Sequence, residues 1–529
     1  MSSPHTIHET INYFKDPRLL SIFFFGIASG FPWVMIGSAM SGWLTDEGLS
    51  RSSIGLFGLI FVAYSINFLW SPLIDRLKIP LLTHRLGQRR SWIVATQIVI
   101  VLSALQLTTL DASNQLNMMA MFGLIIAIAG ATQDISIDAY RIDLLSSNGS
   151  NSMAAGAAMA TAGWWTGYAG LGAIPFILVD QPNWQWSEVY FVLACITVLL
   201  MITAFLVTEP KSNRAKVHDQ IETTYLQALP SQGHRPLIIL LILPLILASI
   251  LYANIGYPAW PDHIISPEYR FTSITIFIVT LLIVFSKQLS HLNRSIAQNT
   301  SSVKAITTNK VYNLTAWLLT TLVAPIQEFF DRNGKRLSIS ILLFIFLFKL
   351  GEAYLGRMSI VFYREVGFSN EDIAYYSKMI NWGVTIVFSL IGSVFTIRYG
   401  ILKGLFIGGI AMASSNLLFA LMAVVGPDKA LFAFTVFVDG FTSAWGSVAF
   451  VALLSVLCNQ TFTASQYALM ASLGTFGRVM LGSYSGIIVD WLNGDWSLFF
   501  IATSLMVIPS LLFLYSIRKP LTILIDKQD

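Results

Sequence analysis

The chain contains repeated runs of about 20 apolar residues, the length needed to cross the roughly 30 Å of hydrocarbon in a bilayer. Six runs lie in the N-terminal part and six in the C-terminal part. Their predicted bounds are 18–43, 53–74, 91–110, 117–141, 153–179 and 188–208, followed by 337–363, 371–397, 402–425, 430–456, 463–489 and 496–517. Because backbone polar groups in lipid must pair within their own segment, each run is predicted to be a helix.

Two more apolar runs, 236–256 and 271–286, stand between these sets, and a total of 14 crossings would put both termini on one side. Residues 311–330 alternate apolar and polar side chains at helical spacing, which predicts an amphipathic helix along the inner membrane surface. The predicted domains are an N-terminal six-helix bundle over 1–210, a linker with the two extra spans and the amphipathic helix over 211–336, and a C-terminal six-helix bundle over 337–529. The fold class is therefore all-α and polytopic.

Composition supports this class and argues against others. Hydrophobic residues make up 55% of the chain and charged residues 11%, against roughly 25% charged in soluble proteins. The net charge of +4 does not indicate a nucleic-acid partner, because no basic run stands apart from an apolar span. Two cysteines are too few for a disulfide scaffold, and the polar stretch up to Lys15 lacks the pattern of a cleaved signal peptide.

The basic residues predict an orientation. A cytoplasmic N-terminus puts most Lys and Arg residues on cytoplasmic loops, as the positive-inside rule requires. The strongest marker is the loop that begins at Asp75 and Arg76 and ends at Arg89 and Arg90. Both termini are therefore expected in the cytoplasm.

The two sets of six runs resemble each other. Gly48-Leu49-Ser50 follows the first run, and Gly367-Phe368-Ser369 follows the seventh. Duplicated halves with a site between them at the bilayer midplane are typical of carriers that open to one side at a time. The sequence therefore favours a secondary transporter over an enzyme.

Longer motifs identify a family resemblance. The loop from Trp70 to Arg76, with Gly87 to Arg90, resembles the signature loop between the second and third spans of the major facilitator superfamily. Four further segments resemble the AmpG-type muropeptide permeases: residues 133–143, 348–353, 449–454 and 477–479. The resemblance covers roughly 15–210 and 320–518 but not the inserted runs.

This resemblance implies proton-driven import of N-acetylglucosaminyl-1,6-anhydro-N-acetylmuramic acid, with or without its peptide, from the periplasm for peptidoglycan recycling. It also implies a bacterial inner-membrane protein that needs no cofactor besides the proton motive force. The expected partners are the glycopeptide, protons and membrane lipid, with no nucleic acid and with the chain acting as a monomer. The loop residues Asp75, Arg76, Arg89 and Arg90 are expected to belong to a gate.

Ionisable side chains within a span cost roughly 2.5–3.5 kcal/mol each on insertion, so each needs a partner or a water-filled cavity. In the fourth run, Asp134, Asp138 and Arg141 lie on one helical face, whereas Asp143 points about 180° away from Asp134. Two interpretations remain open. The stripe ties a cytoplasmic gate to neighbouring helices, with Arg141 and Asp143 as gate residues, or Asp134 or Asp138 carries the coupling proton when the cavity closes.

The C-terminal half has its own charges within the predicted spans. Lys349 and Glu352 form an i,i+3 pair near the midplane of the seventh run. Either the pair is structural, or it opens so that Lys349 meets a substrate carboxylate while Glu352 takes part in proton coupling. Lys378 and Arg478 are further candidate substrate contacts, and Asp439 is their candidate counter-charge and a candidate proton carrier.

Flat aromatic rings suit the apolar faces of sugars, although most aromatic residues in spans face lipid or pack on helices. Amide and hydroxyl groups within the runs can also form hydrogen bonds with a disaccharide. The candidate substrate-binding residues of this kind are Trp70, Trp164, Tyr64, Gln133 and Asn381, with Trp33, Trp165, Trp382 and Trp445 as further aromatic candidates.

Other functions are weighed against the carrier. An intramembrane enzyme would need a metal cluster or a nucleophile with a base, yet all seven histidines fall in loops or tails, so no metal is expected. No phosphate-binding Gly-x-x-x-x-Gly-Lys-Ser/Thr loop is present either, which argues against an ATP-driven pump. A passive channel, a sensor, and a carrier of another anionic conjugate such as acetyl-CoA remain as alternatives.

Overall fold

The computed structural model describes residues 7–48, 57–111, 114–210, 213–229, 309–369, 372–482 and 485–526. Every regular element within these ranges is a helix, and they contain no strand. The chain divides into two compact units, one formed by Met1–Ser212 with Phe329–Asp529 and the other by Asn213–Glu328. The sequence-based boundaries at residues 210 and 336 stay a prediction.

The N-terminal half of the first unit contains six spans, preceded by the short helix Ile7–Tyr13. The first span is Arg18–Asp46, with a π-helical turn at Val34–Ala39, and the second is described from Gly58–Phe61 to Ser71–Arg76. The short helix Leu82–Leu86 leads to the third span, Gln88–Leu107, and the fourth span is Leu116–Leu145. The remaining elements are the 3-10 turn Ser146–Asn148, the fifth span (Gly149–Trp165, Thr166–Gly170, Leu171–Ala173 and Ile174–Val179) and the sixth span, Trp186–Leu206.

The C-terminal half repeats this arrangement. The seventh span comprises Lys335–Phe348 and Leu350–Val366, and the eighth comprises the π-helix Ile373–Ile380 and Asn381–Tyr399. The ninth is Ile401–Val425 and the tenth is Lys429–Val456. The eleventh comprises Thr463–Gly482 and Ser485–Trp491, and the twelfth comprises Trp496–Leu505 and Val507–Asp526.

These bounds confirm an all-α fold built from two six-helix halves. Within the described ranges, nine helical segments are long and apolar enough to cross a membrane, and one of them, Leu116–Val179, contains both the fourth and the fifth span. The inserted runs 236–256 and 271–286 lie outside the described residues, so the count of 14 crossings stays a prediction.

The second unit contains the helix Arg214–Ala228 and most of a second helical stretch. That stretch is Lys310–Leu318, the π-helical Leu319–Val323 and Ala324–Asn333. Its helical content agrees with the amphipathic helix expected over 311–330, whereas a position along the membrane surface stays a prediction. The Tyr225 hydroxyl donates to Gln327 Oε1 at 3.0 Å and joins the two helices.

The internal repeat is visible in the backbone. Gly48 follows the first span with φ +75°, and Gly367 follows the seventh span with φ +110°. Glycine adopts this left-handed region without steric cost, so it commonly ends helices in this way. The corresponding glycines noted in the sequence therefore end corresponding helices.

Close helix packing organises the N-terminal half. A Cβ atom added at Gly30 would collide with the Trp164 carbonyl, and one added at Gly163 would collide with the Phe23 carbonyl. The first and fifth spans therefore approach each other backbone to backbone, as small residues permit in membrane proteins. This contact holds Trp33 and Trp164 at one level of the bundle.

Candidate functional site

One end of the first unit carries Arg76, Arg89 and Arg90, and we call it the basic end. Its centre is the buried Arg89, which donates from Nη2 to Asp75 Oδ1 at 2.7 Å and from Nε to Asp143 Oδ2 at 2.9 Å. These three side chains are almost completely enclosed. Removing one partner of such a buried ion pair typically costs about 3–5 kcal/mol, because a charge is left unpaired.

The same two aspartates hold the start of the eleventh span. Asp75 accepts hydrogen bonds from the backbone N–H groups of Ala464 at 3.2 Å and Ser465 at 2.9 Å, and Asp143 Oδ1 accepts from the Thr463 hydroxyl at 2.6 Å. The first N–H groups of a helix lack partners within the helix and carry partial positive charge, so a carboxylate there is stabilising. This cluster joins the N-terminal half to the C-terminal half at the basic end.

Arg90, another basic residue of the signature loop, binds within the N-terminal half. Arg90 donates from Nε to the Ala204 carbonyl at 2.6 Å, and the Arg90 backbone N–H donates to Glu209 at 3.2 Å. Arg90 is therefore attached to the end of the sixth span. Arg76 is the last residue of the second span and is half-buried beside the cluster.

A second connection between the halves lies one layer deeper. The buried Arg141 donates from Nη2 to Asp138 Oδ1 at 2.8 Å and from Nη1 to the Ser455 hydroxyl at 2.9 Å. Its guanidinium also lies 5.5 Å from the centroid of the Tyr467 ring. Ser455 and Tyr467 belong to the tenth and eleventh spans, so Arg141 bridges the halves, and its role in a gate stays a prediction.

Asp134 lies one helical turn from Asp138 and faces the first span, where it accepts a hydrogen bond from the Ser29 hydroxyl. Both carboxylates are half-buried rather than sealed. Asp143 points to the other side of the fourth span and pairs with Arg89, as its sequence position predicts. The Asp134 and Asp138 carboxylates therefore share one face and differ in their partners.

The candidate residues of the seventh span lie at a break in that helix. Lys349 has φ −102° and ψ +18° and separates the two helical segments of the span. Its Nζ lies 3.1 Å from Glu352 Oε2 and donates to the Ser447 hydroxyl at 2.6 Å, while the Ser443 hydroxyl donates to Glu352 Oε1 at 2.9 Å. Arg478 lies close enough to Glu352 to interact electrostatically. We call Lys349, Glu352 and Arg478 the charged cluster.

About a fifth of the Lys349 and Glu352 side-chain surface is exposed, 18% and 20% respectively, although both residues lie near the middle of their span. Polar bonds to the tenth span and proximity to the eleventh place them within the bundle rather than on its outer surface. The structure therefore leaves open space beside the charged cluster.

The other C-terminal candidates differ in position. Asp439 accepts from the Ser415 hydroxyl at 3.1 Å and so points toward the ninth span. Asn381 accepts from the Thr385 hydroxyl at 3.3 Å and fills the space next to Gly440. The backbone of Lys378 belongs to the π-helix Ile373–Ile380, but its side chain lies outside what the structure describes.

Three expected substrate contacts lie inside the N-terminal half. The buried Gln133 donates to the Ala28 carbonyl at 2.6 Å, and the Trp70 indole donates to the Thr132 hydroxyl at 3.0 Å. Tyr64 is buried with its hydroxyl against Gly130. Gln133 and Trp70 therefore hold the first, second and fourth spans together in this conformation.

An aromatic cluster lies on the N-terminal half. The Trp33 ring centroid lies 4.7 Å from that of Phe61, 4.7 Å from that of Tyr64 and 5.8 Å from that of Trp164. Tyr168 adds a fifth ring, 5.1 Å from Trp164. We call Trp33, Phe61, Tyr64, Trp164 and Tyr168 the aromatic cluster, and all except Tyr64 are partly exposed.

Sequence reasoning named Trp33, Tyr64 and Trp164 individually but missed Phe61 and Tyr168. Their spacing, i,i+3 from Phe61 to Tyr64 and i,i+4 from Trp164 to Tyr168, is the signal that could have grouped them. The serines that bind the charges were also missed. Ser443 and Ser447 follow Asp439 at i+4 and i+8, which places all three on one face of the tenth span.

Among the described residues, no group of three or more His, Cys, Asp or Glu side chains is suited to hold a metal ion. The site instead has two features. The charged cluster lies in the middle of the bundle beside open space, and hydrogen bonds join the two halves at the basic end. Such a bundle can bind a polar solute between its halves while the basic end is closed.

Known proteins resemble this chain in sequence and in fold. The sequence model of the Major Facilitator Superfamily matches residues 22–349. The anhydromuropeptide permease of Escherichia coli K12 is 27% identical over 517 residues, which cover 97% of this chain and 82% of the permease.

Solved structures show the same fold. The proton:xylose symporter XylE bound to 6-bromo-6-deoxy-D-glucose superposes with a TM-score of 0.57 at 13% identity, with 94% of each chain covered. The human organic anion transporter MFSD10 superposes with a TM-score of 0.52 at 15% identity, covering 94% of this chain and 98% of that protein.

Proposed function

This chain belongs to the major facilitator superfamily and is a transporter rather than an enzyme, and from that premise we propose that it carries anhydromuropeptides in symport with protons. The proposed direction is from the periplasm to the cytoplasm across the inner membrane of a bacterium. The proposed working form is a monomer, powered by the proton motive force without a cofactor.

The similarity to an anhydromuropeptide permease over 97% of the chain supports the proposed substrate. Such a glycopeptide combines sugar rings with the carboxylates of its peptide stem. The aromatic cluster and the charged cluster offer rings and cations of matching chemistry at one level of the bundle. Carboxylates bind Lys and Arg through charge-assisted hydrogen bonds, which are stronger than those between neutral groups.

Proton coupling is proposed for the carboxylates of the fourth span. The observation that carries it is Arg141, whose guanidinium binds both Asp138 and the Ser455 hydroxyl of the opposite half. A proton on Asp138 removes the negative charge that holds this guanidinium, so protonation there weakens the connection between the halves. Asp134, one turn away, is the second acceptor on the same face. Glu352 and Asp439 are further candidates in the C-terminal half.

The driving force is sufficient for accumulation. One proton that crosses about 150 mV supplies roughly 3.5 kcal/mol, since 100 mV is worth about 2.3 kcal/mol per charge. Each 1.4 kcal/mol is a factor of ten, so a single proton supports accumulation of about several hundred-fold.

The test is uptake of labelled anhydro-disaccharide peptide into proteoliposomes with an imposed pH gradient. The wild type is expected to accumulate the label, and Asp134→Asn is expected to abolish accumulation while it retains exchange of labelled for unlabelled substrate. Asp495→Asn is the matched control, because Asp495 caps the twelfth span at Leu498 N and asparagine is an equally good cap.

Three outcomes would contradict parts of the proposal. Unaltered accumulation by Asp134→Asn would remove this carboxylate from coupling. Equilibration of the label without accumulation by the wild type would indicate a passive channel. An absence of uptake by the wild type would remove the substrate, and acetyl-CoA would then be assayed in the same vesicles.

A further inference from the structure

We infer that the two halves hold chemically different parts of the substrate: the aromatic cluster of the N-terminal half binds sugar rings, and the charged cluster of the C-terminal half binds carboxylates. This division rests on the proposed function, because it assumes a substrate with both kinds of group. It adds an assignment of each substrate part to particular side chains.

The aromatic cluster faces the space between the halves. Trp33 touches Phe61 and Tyr64 on the second span and Trp164 on the fifth span. These two spans both meet the opposite half. Asp75 and Asn67 of the second span bond to the eleventh span, and the fifth span bonds to the eighth through the Ala154 carbonyl and the Ser393 hydroxyl at 2.8 Å. A cluster that extends from the second to the fifth span therefore lies on the inner face.

Both clusters lie at the same depth. Trp33 lies about 22 Å along the first span from Arg18, at a rise of about 1.5 Å per residue, and Trp164 lies about 22 Å along the fifth span from Gly149. Lys349 lies about 21 Å along the seventh span from Lys335. All three spans start at the basic end, so the two clusters lie at a similar distance from that end.

The chemistry of the clusters is complementary rather than duplicated. The aromatic cluster contains five rings and no carboxylate, ammonium or guanidinium group. The charged cluster has two cations beside Glu352, Asp439 lies close enough to Glu352 to interact with it electrostatically, and two serine hydroxyls support the ion pair. Sugar C–H faces pack on aromatic rings, while carboxylates take hydrogen bonds from ammonium and guanidinium groups.

Packing alone leaves the exposure of the rings unexplained. Core residues around the cluster, such as Met35 and Ala127, are completely enclosed, whereas Trp33, Phe61 and Trp164 keep part of their surface open. Open aromatic surface on the inner face of the bundle is surface that a ligand can cover.

The test measures dissociation constants by calorimetry on the purified full-length chain with two probes. One is the neutral disaccharide of N-acetylglucosamine, and the other is the anhydro-disaccharide tripeptide. Trp164→Leu is expected to raise the dissociation constants of both probes about tenfold, which corresponds to about 1.4 kcal/mol. Lys349→Met is expected to raise the dissociation constant of the charged probe about tenfold. It should leave the dissociation constant of the neutral probe within about twofold of the wild-type value. The control Trp491→Leu alters a tryptophan that is 81% exposed and is expected to change neither constant.

The division is overturned if the two variants weaken the binding of both probes equally, or if Trp164→Leu does not affect binding of the neutral probe. It is also overturned if the wild type does not bind the neutral probe. Absence of wild-type binding to the charged probe instead overturns the proposed substrate, and the division with it. If Trp164→Leu does not fold, Tyr168→Leu replaces it with the same expected result, because Tyr168 is also partly exposed.

Discussion

The indole Nε1 of Trp496 donates a hydrogen bond to Glu365 Oε2 at 2.8 Å and so attaches the start of the twelfth span to the end of the seventh. The N-terminal half contains the same connection, because Trp186 Nε1 donates to Asp46 Oδ2 at 2.7 Å between the sixth and first spans. Each half thus joins its first and last spans at the end opposite the basic end. The connection holds each half together independently of the other half.

Trp186→Phe and Trp496→Phe each remove one of these hydrogen bonds while keeping most of the buried ring. We expect a loss of about 1 kcal/mol each, the usual value for one net hydrogen bond, since both carboxylates are exposed. The bonds lie in different halves, so the losses should add in the double variant. Thermal unfolding of the purified protein measures this, with the exposed Trp491→Phe as control. A double variant no less stable than either single variant would show that the two bonds are not independent.

Cys458 offers a natural reporter of opening at the basic end. It is buried in the turn after the tenth span, whereas Cys195 is exposed and can be changed to serine. Burial raises the pKa of the Cys458 thiol, so little reactive thiolate exists at neutral pH while this end is closed. Asp75→Asn weakens both the Arg89 ion pair and the cap on the eleventh span, and we expect maleimide to label Cys458 several-fold faster. An unchanged rate, equal to that of an Asp495→Asn control, would contradict a closing role for Asp75.

Gly30→Ala should destabilise the contact between the first and fifth spans. The added Cβ meets the Trp164 carbonyl, a backbone atom that cannot move aside, and overpacking of this kind costs about 1–3 kcal/mol. Gly383→Ala is the matched control, because no atom lies within 4 Å of its added Cβ and alanine favours a helix by about 0.5–1 kcal/mol. We expect Gly383→Ala to have the highest melting temperature, the wild type an intermediate one and Gly30→Ala the lowest. Equal values for Gly30→Ala and the wild type would mean that the backbones separate at little cost.

A double-mutant cycle on Lys349 and Glu352 separates a structural ion pair from a transport residue. Each single variant, Lys349→Met or Glu352→Gln, leaves one charge without its partner at 3.1 Å and should lower the melting temperature. The double variant removes both charges and should recover stability beyond the sum of the single effects. If the cluster binds substrate, the recovered protein remains inactive in uptake. Recovery of both stability and uptake would assign the pair to structure alone.

The sequence was sufficient for the framework of the fold. Apolar length placed all twelve spans of the two halves, and spacing placed Lys349 beside Glu352 and separated Asp143 from Asp134. These successes share a cause, because helix periodicity relates residues that are close in sequence. The fourth-span pattern predicted which charges share a face without any knowledge of neighbouring helices.

Contacts between distant segments could not be predicted in this way. Nothing in the spacing of Arg141 indicates Ser455, which lies 314 positions later and belongs to the other half. Gln133, expected to bind substrate, instead bonds to the Ala28 carbonyl, a partner that any residue at position 28 would supply. Serine is common in membrane helices for packing alone, so Ser443 and Ser447 gave no sign of their charged partners before the tenth span was placed beside the seventh.

Asp75 reaches across to main-chain N–H groups at Ala464 and Ser465, and every residue except proline supplies such a group. The hydrogen bond at position 464 therefore does not depend on its side chain, although this completely buried site has room only for a small residue, whereas position 75 must keep a short acid. The two sides of the contact between Asp75 and the eleventh span therefore differ in how readily they tolerate amino-acid substitution. Closure at this end therefore depends on two carboxylates of the N-terminal half that accept hydrogen bonds from the first turn of the eleventh span, including the Thr463 and Ser465 hydroxyls.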